Sequence, residues 1–158
     1  MKKILQLGFV VAILMSQINC KSGKETQSEN GSQPTVGEPK TMLLEFGSGG
    51  GVTGAYTIYI IHGDGKIFES SPEVKEMTKV TPITAKEAEV YFNQAVEAGM
   101  KEMKYNKPGN MTKYIELTEG DKKYRVTWAY DGENPSTPIK DFYNDLSKLI
   151  RKQKFADQ

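Results

Sequence analysis

The sequence predicts an α+β fold in which two helices pack on a mainly antiparallel sheet of about five strands, in the order βββαββα. Between positions 41 and 70, three short runs of β-branched and aromatic residues are separated by glycine-rich segments. Two later segments carry apolar residues at helical spacing, and two more strand-like runs lie between them. The length of 158 residues suits one modest globular domain.

The first three strands are predicted from the runs TMLLEF, AYTIYIIH and KIFES. The pair Asp64-Gly65 between the second and third runs is typical of a tight hairpin, since glycine tolerates the positive φ that such a turn requires. The second run is apolar on both alternating faces, one of which carries Tyr56, Ile58 and Ile60. This pattern predicts a central strand covered wholly or partly on both sides.

The first helix is predicted over about 84 to 103. Thr84 and Glu87 form a capping-box pattern at its start. Apolar residues then recur at helical spacing as far as Gly99. They are Ala88, Tyr91, Phe92, Ala95 and Val96.

A second hairpin and a closing helix are predicted from the remainder of the chain. The runs MTKYIELT and KKYRVTWAY are joined by Glu119-Gly120-Asp121, and the face that carries Trp128 is expected to be buried. Thr137 is predicted as the N-cap of the closing helix and Pro138 as a first-turn residue. The apolar stripe of this helix consists of Ile139, Phe142, Tyr143, Leu146, Leu149 and Ile150.

Residues 1–19 have the pattern of a secretory signal peptide. Lys2 and Lys3 form a positive n-region, and the apolar stretch that follows is too short to span a bilayer. The only cysteine, Cys20, comes next, preceded by Asn19. This arrangement resembles the lipobox of bacterial lipoproteins, in the looser form seen in spirochaetes. The resemblance implies lipid attachment at Cys20 and location in the bacterial cell envelope, at the outer membrane. A short hydrophobic anchor with an incidental cysteine is the alternative.

Residues 20–39 are predicted to be the lipidated cysteine and a flexible tether. The segment from Lys21 to Pro39 holds one β-branched aliphatic residue, Val36, among Ser, Gly, Gln, Glu, Lys and Pro. Such a composition buries too little apolar surface to fold. The single α+β domain is therefore predicted over 40–154.

Charge balance and cysteine count exclude several classes of function. Lys and Arg number 21 and Asp and Glu 20, a formal net charge of +1, so no surplus of cations is available for nucleic acid. A single cysteine excludes an internal disulfide, a zinc ribbon and a redox thiol pair. With one histidine, and with Asp64 and Asp121 in turn-forming positions, we expect no metal site and no cofactor.

A catalytic triad could be drawn from Ser48 as the nucleophile, His62 as the general base and Asp64 as the residue that orients the base. They lie within one stretch of strands and turns, and nothing upstream indicates an oxyanion hole. We therefore interpret His62 as a surface turn histidine, and expect no catalytic residue and no enzymatic activity.

The run from Gly49 to Gly54 matches G-x-G-x-x-G but precedes a strand-like segment. Phosphate binding needs a helix N-terminus directly after the glycines, so no nucleotide is expected. One interpretation of the run is a wide turn or bulge. The other is a partner-binding loop, because binding loops are commonly carried on rigid scaffolds. Its candidate residues are Gly49, Gly50, Gly51, Val52, Thr53 and Gly54.

Basic residues interleaved with tyrosines form a further candidate surface. Glu116 and Glu119 lie among them and dilute the field, so a solvated sheet face explains the same pattern. The members are Lys101, Lys104, Lys107, Lys113, Lys122, Lys123 and Arg125, with Tyr105, Tyr114 and Tyr124.

The order of motifs from Thr41 to Ile150 resembles emfourin, a family of small bacterial inhibitors of thermolysin-type metalloproteases. The resemblance rests on a Gly-Gly-x-x-Gly pattern before a strand, a capped helix, two paired strands and a closing helix. The residues that carry it are Gly50, Gly51, Gly54, Thr84, Tyr114 to Leu117, Tyr124 to Trp128 and Pro138. The family has Phe and Ala where this chain has Val52 and Thr53.

These features favour a lipid-anchored, non-enzymatic protein-binding module that is inhibitor-like toward a metalloprotease. The alternative is a surface-exposed, adhesin-like lipoprotein that binds host matrix or plasma proteins, which the tether would permit. Both hypotheses imply that acylated Cys20 binds membrane lipid and that the domain binds an unidentified protein partner. Neither hypothesis includes a nucleic acid or a nucleotide as a partner.

Overall fold

The computed structural model describes residues 41–72 and 76–156. Cys20 and the segments predicted to be a signal peptide and a tether lie outside the described residues. Those described form an α+β fold with two helices and one mixed sheet. Their elements in chain order are β1 (Met42–Gly50), β2 (Ala55–His62), β3 (Ile67–Ser70), β4 (Thr78–Val80), α1 (Ala85–Glu97), β5 (Asn106–Lys107), β6 (Met111–Glu119), β7 (Lys122–Ala129) and α2 (Thr137–Lys154).

The sheet has seven strands in the order β4-β3-β2-β1-β6-β7-β5, so the prediction of five was wrong. The additional strands are β4, of three residues, and β5, of two. Neither is long enough to show an alternating pattern, and Pro108 directly after β5 argues against a strand in the sequence. β5 pairs in parallel with β7, whereas the other neighbours pair antiparallel.

The predicted hairpins are present. β2 and β3 are joined through Gly63 to Lys66, where Gly65 has φ +88°. β6 and β7 are joined by Gly120-Asp121, with Glu119 paired to Lys122 and Gly120 at φ +59°. In each turn a glycine adopts the left-handed backbone that other residues rarely reach.

Both helices cover the same face of the sheet, and the core lies between them and that face. The ring of Tyr143 in α2 stands edge-on to Trp128 at 5.3 Å and to Phe46 at 6.0 Å. β2 turns Tyr59 and Ile61 toward this core, while Ile58 and Ile60 lie on the face that no described helix covers. The expected cover on both sides of β2 is therefore incomplete.

α1 ends at Glu97, six residues before the predicted end at position 103. Gly99, at φ +86°, terminates it, and its N–H donates to the Val96 carbonyl (2.9 Å). The Met100 N–H donates to the Ala95 carbonyl (3.2 Å), which completes a Schellman ending. At the start, the Thr84–Glu87 capping box is present as predicted.

α2 has Ser136, and not Thr137, as its N-cap. The Ser136 hydroxyl accepts a hydrogen bond from the Ile139 N–H (3.4 Å), and Pro138 lies in the first turn. The predicted apolar stripe is confirmed, with all of its members buried except the half-buried Tyr143.

Candidate functional site

The glycine run forms the tip of the β1–β2 hairpin. Gly50 is paired with Ala55, and the four residues from Gly51 to Gly54 make the turn. The Gly54 N–H donates to the Gly51 carbonyl (3.2 Å), and the Gly51 N–H donates to the Asn110 carbonyl (2.6 Å). The run is therefore a strand-to-strand turn, in which the glycines do not lead into a helix.

Two glycines show why the tip has this composition. Gly51 has φ +68°, which strains any residue with a Cβ. At Gly49 a Cβ would overlap the Ala55 carbonyl oxygen on the paired strand. The close approach of β1 and β2 at the tip thus depends on the absence of side chains.

Val52 is fully exposed at the apex of this turn. β1 carries it on a rigid base, since β1 is paired along its whole length with β6 and, beyond its first residue, with β2. Beside it, the Thr53 hydroxyl accepts a hydrogen bond from the Ala55 N–H (3.4 Å). The tip can therefore offer one apolar side chain and several backbone groups, but no acid or base.

A second cluster lies on the face of the sheet away from the helices. The sequence pattern places Tyr114, Lys123 and Arg125 among the interleaved tyrosines and basic residues, but it does not place them beside Glu45. Tyr114 is 2% exposed there, and its hydroxyl donates to Glu45 (2.8 Å). The Arg125 guanidinium lies 3.9 Å from the centre of the Tyr114 ring, and Tyr56 stands at 6.2 Å. Burial, followed by the hydrogen bond to Glu45, raises the pKa of Tyr114 well above its ordinary value. This phenol stays protonated, and the contacts of Tyr114 link β6 to β1, β7 and β2.

Glu116 anchors the basic side of the same cluster. Its carboxylate accepts from Lys123 (2.8 Å) and Arg125 (3.2 Å). Burial raises the pKa of Glu116, but the hydrogen bonds and charges of the two cations outweigh burial, so its pKa lies below the ordinary 4.5. A carboxylate with a depressed pKa stabilises the fold at pH values above its ordinary pKa. This contribution to the free energy of unfolding is lost as the pH falls through the folded-state pKa.

We expect Glu116→Gln to lower the free energy of unfolding by about 1 kcal/mol at pH 7, and by progressively less as the pH falls below 4.5 through the depressed pKa of wild-type Glu116. Urea unfolding across this pH range measures the difference. The matched control is Glu133→Gln, which removes an exposed pair with Lys107 and should be nearly neutral throughout. A cost for Glu116→Gln that does not change with pH would contradict this assignment.

The interleaved lysines and tyrosines do not form one surface. Lys113 projects from the helix-covered face between the rings of Tyr130 (4.1 Å) and Tyr143 (5.5 Å). Arg125 lies on the opposite face. Lys101 is bound to Glu119 (2.9 Å) at the far end of the sheet. The structure therefore separates these cations and pairs several of them with carboxylates.

Ser48, His62 and Asp64 are likewise not brought together. Ser48 and His62 lie five ladder positions apart in the β1–β2 pair, where Ser48 pairs with Thr57 and His62 with Leu43. Their side chains also lie on opposite faces, because the two ladder positions differ by an odd number of residues. Asp64 forms an ion pair with Lys66 in the turn. Among residues 41–72 and 76–156, no group of three or more His, Cys, Asp or Glu is arranged to hold a metal ion.

No protein-family model matches this chain, and no curated protein is significantly similar to it in sequence. Within the described part of the chain, neither helix combines the length and the apolar character needed to cross a bilayer.

Proposed function

We propose that this chain is a lipid-anchored, non-enzymatic protein-binding module of the bacterial cell envelope. Cys20 carries the lipid at the outer membrane, and the tip of the β1–β2 hairpin contacts a protein partner. The class of partner to test first is a thermolysin-type metalloprotease, because the sequence resemblance to emfourin includes Gly50, Gly51 and Gly54.

The observation that carries the proposal is the exposure of Val52 at the apex of a rigidly mounted turn. A fully exposed aliphatic side chain gains free energy when a partner removes it from water, by roughly 1.5 to 3 kcal/mol if burial is complete. Neighbouring glycines leave the backbone open to hydrogen bonds from that partner. Binding, and not chemistry, is what this set of groups favours.

The direct test is Val52→Asp, which keeps the backbone allowed but makes burial of position 52 unfavourable. We expect inhibition of a thermolysin-type protease by the purified chain to weaken at least about tenfold, with an unchanged melting curve. The matched control is Val90→Asp, at an exposed valine on α1, which should inhibit like the wild type.

Capture of host matrix proteins is measured in parallel with the same variants. Binding of matrix proteins without protease inhibition would move the proposal to the adhesin-like alternative. Full activity of Val52→Asp, or no activity of the wild type toward either class, would remove the hairpin tip as the site. Gly51→Ala separates the purely structural role of the glycines, since it should lower stability with little separate effect on binding.

A further inference from the structure

The first half of β2 is an open edge of the sheet. β2 pairs with β3 only from Ile58 to Ile61, although it pairs with β1 along its whole length. No described residue pairs with Ala55, Tyr56 or Thr57 on the side away from β1. The hairpin that carries Val52 therefore projects past its neighbour and leaves three residues of strand available on one side.

The backbone groups at this edge can be assigned from the ladder. The His62 N–H donates to the Lys66 carbonyl on the β3 side (2.9 Å). Alternate residues of a strand direct their N–H and C=O to the same side, so those of Tyr56 also point away from β1. Ile58 pairs with Ser70 at the end of the β2–β3 ladder. If that ladder continued, Pro72 would stand opposite Tyr56, and proline has no N–H to donate. The Tyr56 N–H and C=O thus face outward in the described part of the chain.

Among the described residues, the other edges of this sheet have features that protect them from further strand pairing, and the first half of β2 has none. Natural sheets protect their edges with lysine, proline or very short strands. β4 carries Lys79, β5 is followed by Pro108, and the unpaired first half of β7 carries Lys122 and Lys123. The segment Gly54-Ala55-Tyr56-Thr57 has neither a charge nor a proline.

A cavity of about 380 Å³ adjoins this edge on the helix-covered face. One wall belongs to β1 and β2, and the other belongs to α2 from Tyr143 to Lys154. Phe155 at its rim is 62% exposed. Lys154 is bound to Glu69 (2.9 Å), whereas no described carboxylate forms an ion pair with Arg151. The residues that line the cavity include Thr57, Tyr59, Tyr143, Ile150, Arg151 and Phe155.

We propose that the protein partner binds through an extended segment that adds to β2 as a further strand at Ala55 to Thr57. Pairing supplies the hydrogen bonds that the Tyr56 backbone lacks, and an apolar side chain of the segment enters the cavity beside Tyr143. An acidic residue of the segment meets the Arg151 guanidinium. This inference rests on the proposed function, because it specifies that the partner of the β1–β2 hairpin binds as an added β-strand.

Amide hydrogen exchange of the full chain in detergent tests the free edge. The Tyr56 amide should exchange at least about tenfold faster than the amides of Ile58 and Ile60, which face the same side but are paired with β3. Equal protection of the three amides would overturn the proposal, since it would mean that the edge is already occupied.

The binding test uses a displayed library of random nonapeptides selected on the same full chain. Enriched peptides should carry an apolar or aromatic residue with an acidic residue nearby, and their binding should protect the Tyr56 amide. N-methylation of the peptide at positions that donate to β2 should weaken binding at least about tenfold, while N-methylation at the intervening positions should not. No enrichment, or equal effects at both sets of positions, would overturn the proposal.

Two variants connect the peptide to the partner. Tyr56→Pro removes the edge N–H, and Tyr56→Val is its control, because it changes the side chain but keeps the N–H. Tyr56→Pro should bind an enriched peptide at least about tenfold more weakly than Tyr56→Val. Equal binding by the two variants contradicts strand addition. Loss of protease inhibition in Val52→Asp together with full inhibition in Tyr56→Pro would reject the edge and leave the proposed function intact, while full inhibition in both would reject both.

Discussion

Replacement of Leu146 by alanine is expected to lower the free energy of unfolding by about 2 to 5 kcal/mol. Leu146 is fully buried in the middle of α2, within the core that the two helices share with the sheet. Alanine loses the transfer free energy of the removed carbons and leaves a cavity that a packed core fills only in part. Urea unfolding monitored by far-UV circular dichroism measures the effect.

The control for this experiment is Lys152→Ala on the same helix, at an exposed position where substitution should change the free energy of unfolding by less than about 0.5 kcal/mol. Comparable small effects for Leu146→Ala and Lys152→Ala would contradict the placement of α2 on the sheet. That placement matters for the site, since α2 forms one wall of the cavity beside β2.

Replacement of Cys20 by alanine is expected to abolish lipid attachment and release the protein from the membrane fraction. Cys20 is the only thiol of the chain, so no other residue can form the thioether. Each buried methylene of an acyl chain contributes about 0.8 kcal/mol to membrane binding, and the chain, with a formal net charge of +1, has no large surplus of cations to replace that contribution.

Metabolic labelling with a fatty-acid analogue, followed by fractionation of the cells, tests this expectation. Ser22→Ala is the neighbouring control and should keep both the label and the membrane location. A label that persists in Cys20→Ala would reject the lipoprotein prediction. A protein that is unlabelled but still sediments with membranes would favour the hydrophobic-anchor alternative.

The elements that could be predicted from the sequence have local patterns. α2 shows its apolar stripe within one continuous segment, and the Thr84–Glu87 box lies within one turn of α1. The β2–β3 and β6–β7 turns carry glycines between strand-like runs. The error at the end of α1 has a local cause as well, because apolar Met100 and Met103 continue the helical spacing past Gly99, where the backbone turns left-handed.

What the sequence could not predict depends on register between distant strands. Tyr114 and Glu45 are 69 residues apart and meet only because β6 lies beside β1. The open edge of β2 likewise results from a difference in length between neighbouring strands. It depends on the register that places Ile58 opposite Ser70, at the end of β3. Strand periodicity identifies the face of each residue, but not its neighbour across the ladder.

Photocrosslinking in living cells tests the central proposal, that the β1–β2 hairpin contacts a protein partner, most directly. A photoreactive phenylalanine analogue is placed at position 52 in one strain and at position 90, an exposed valine on α1, in another. If the hairpin tip contacts a partner, we expect an adduct of one discrete size from position 52 and no such adduct from position 90. No adduct from position 52, or the same adducts from both positions, would contradict the proposal.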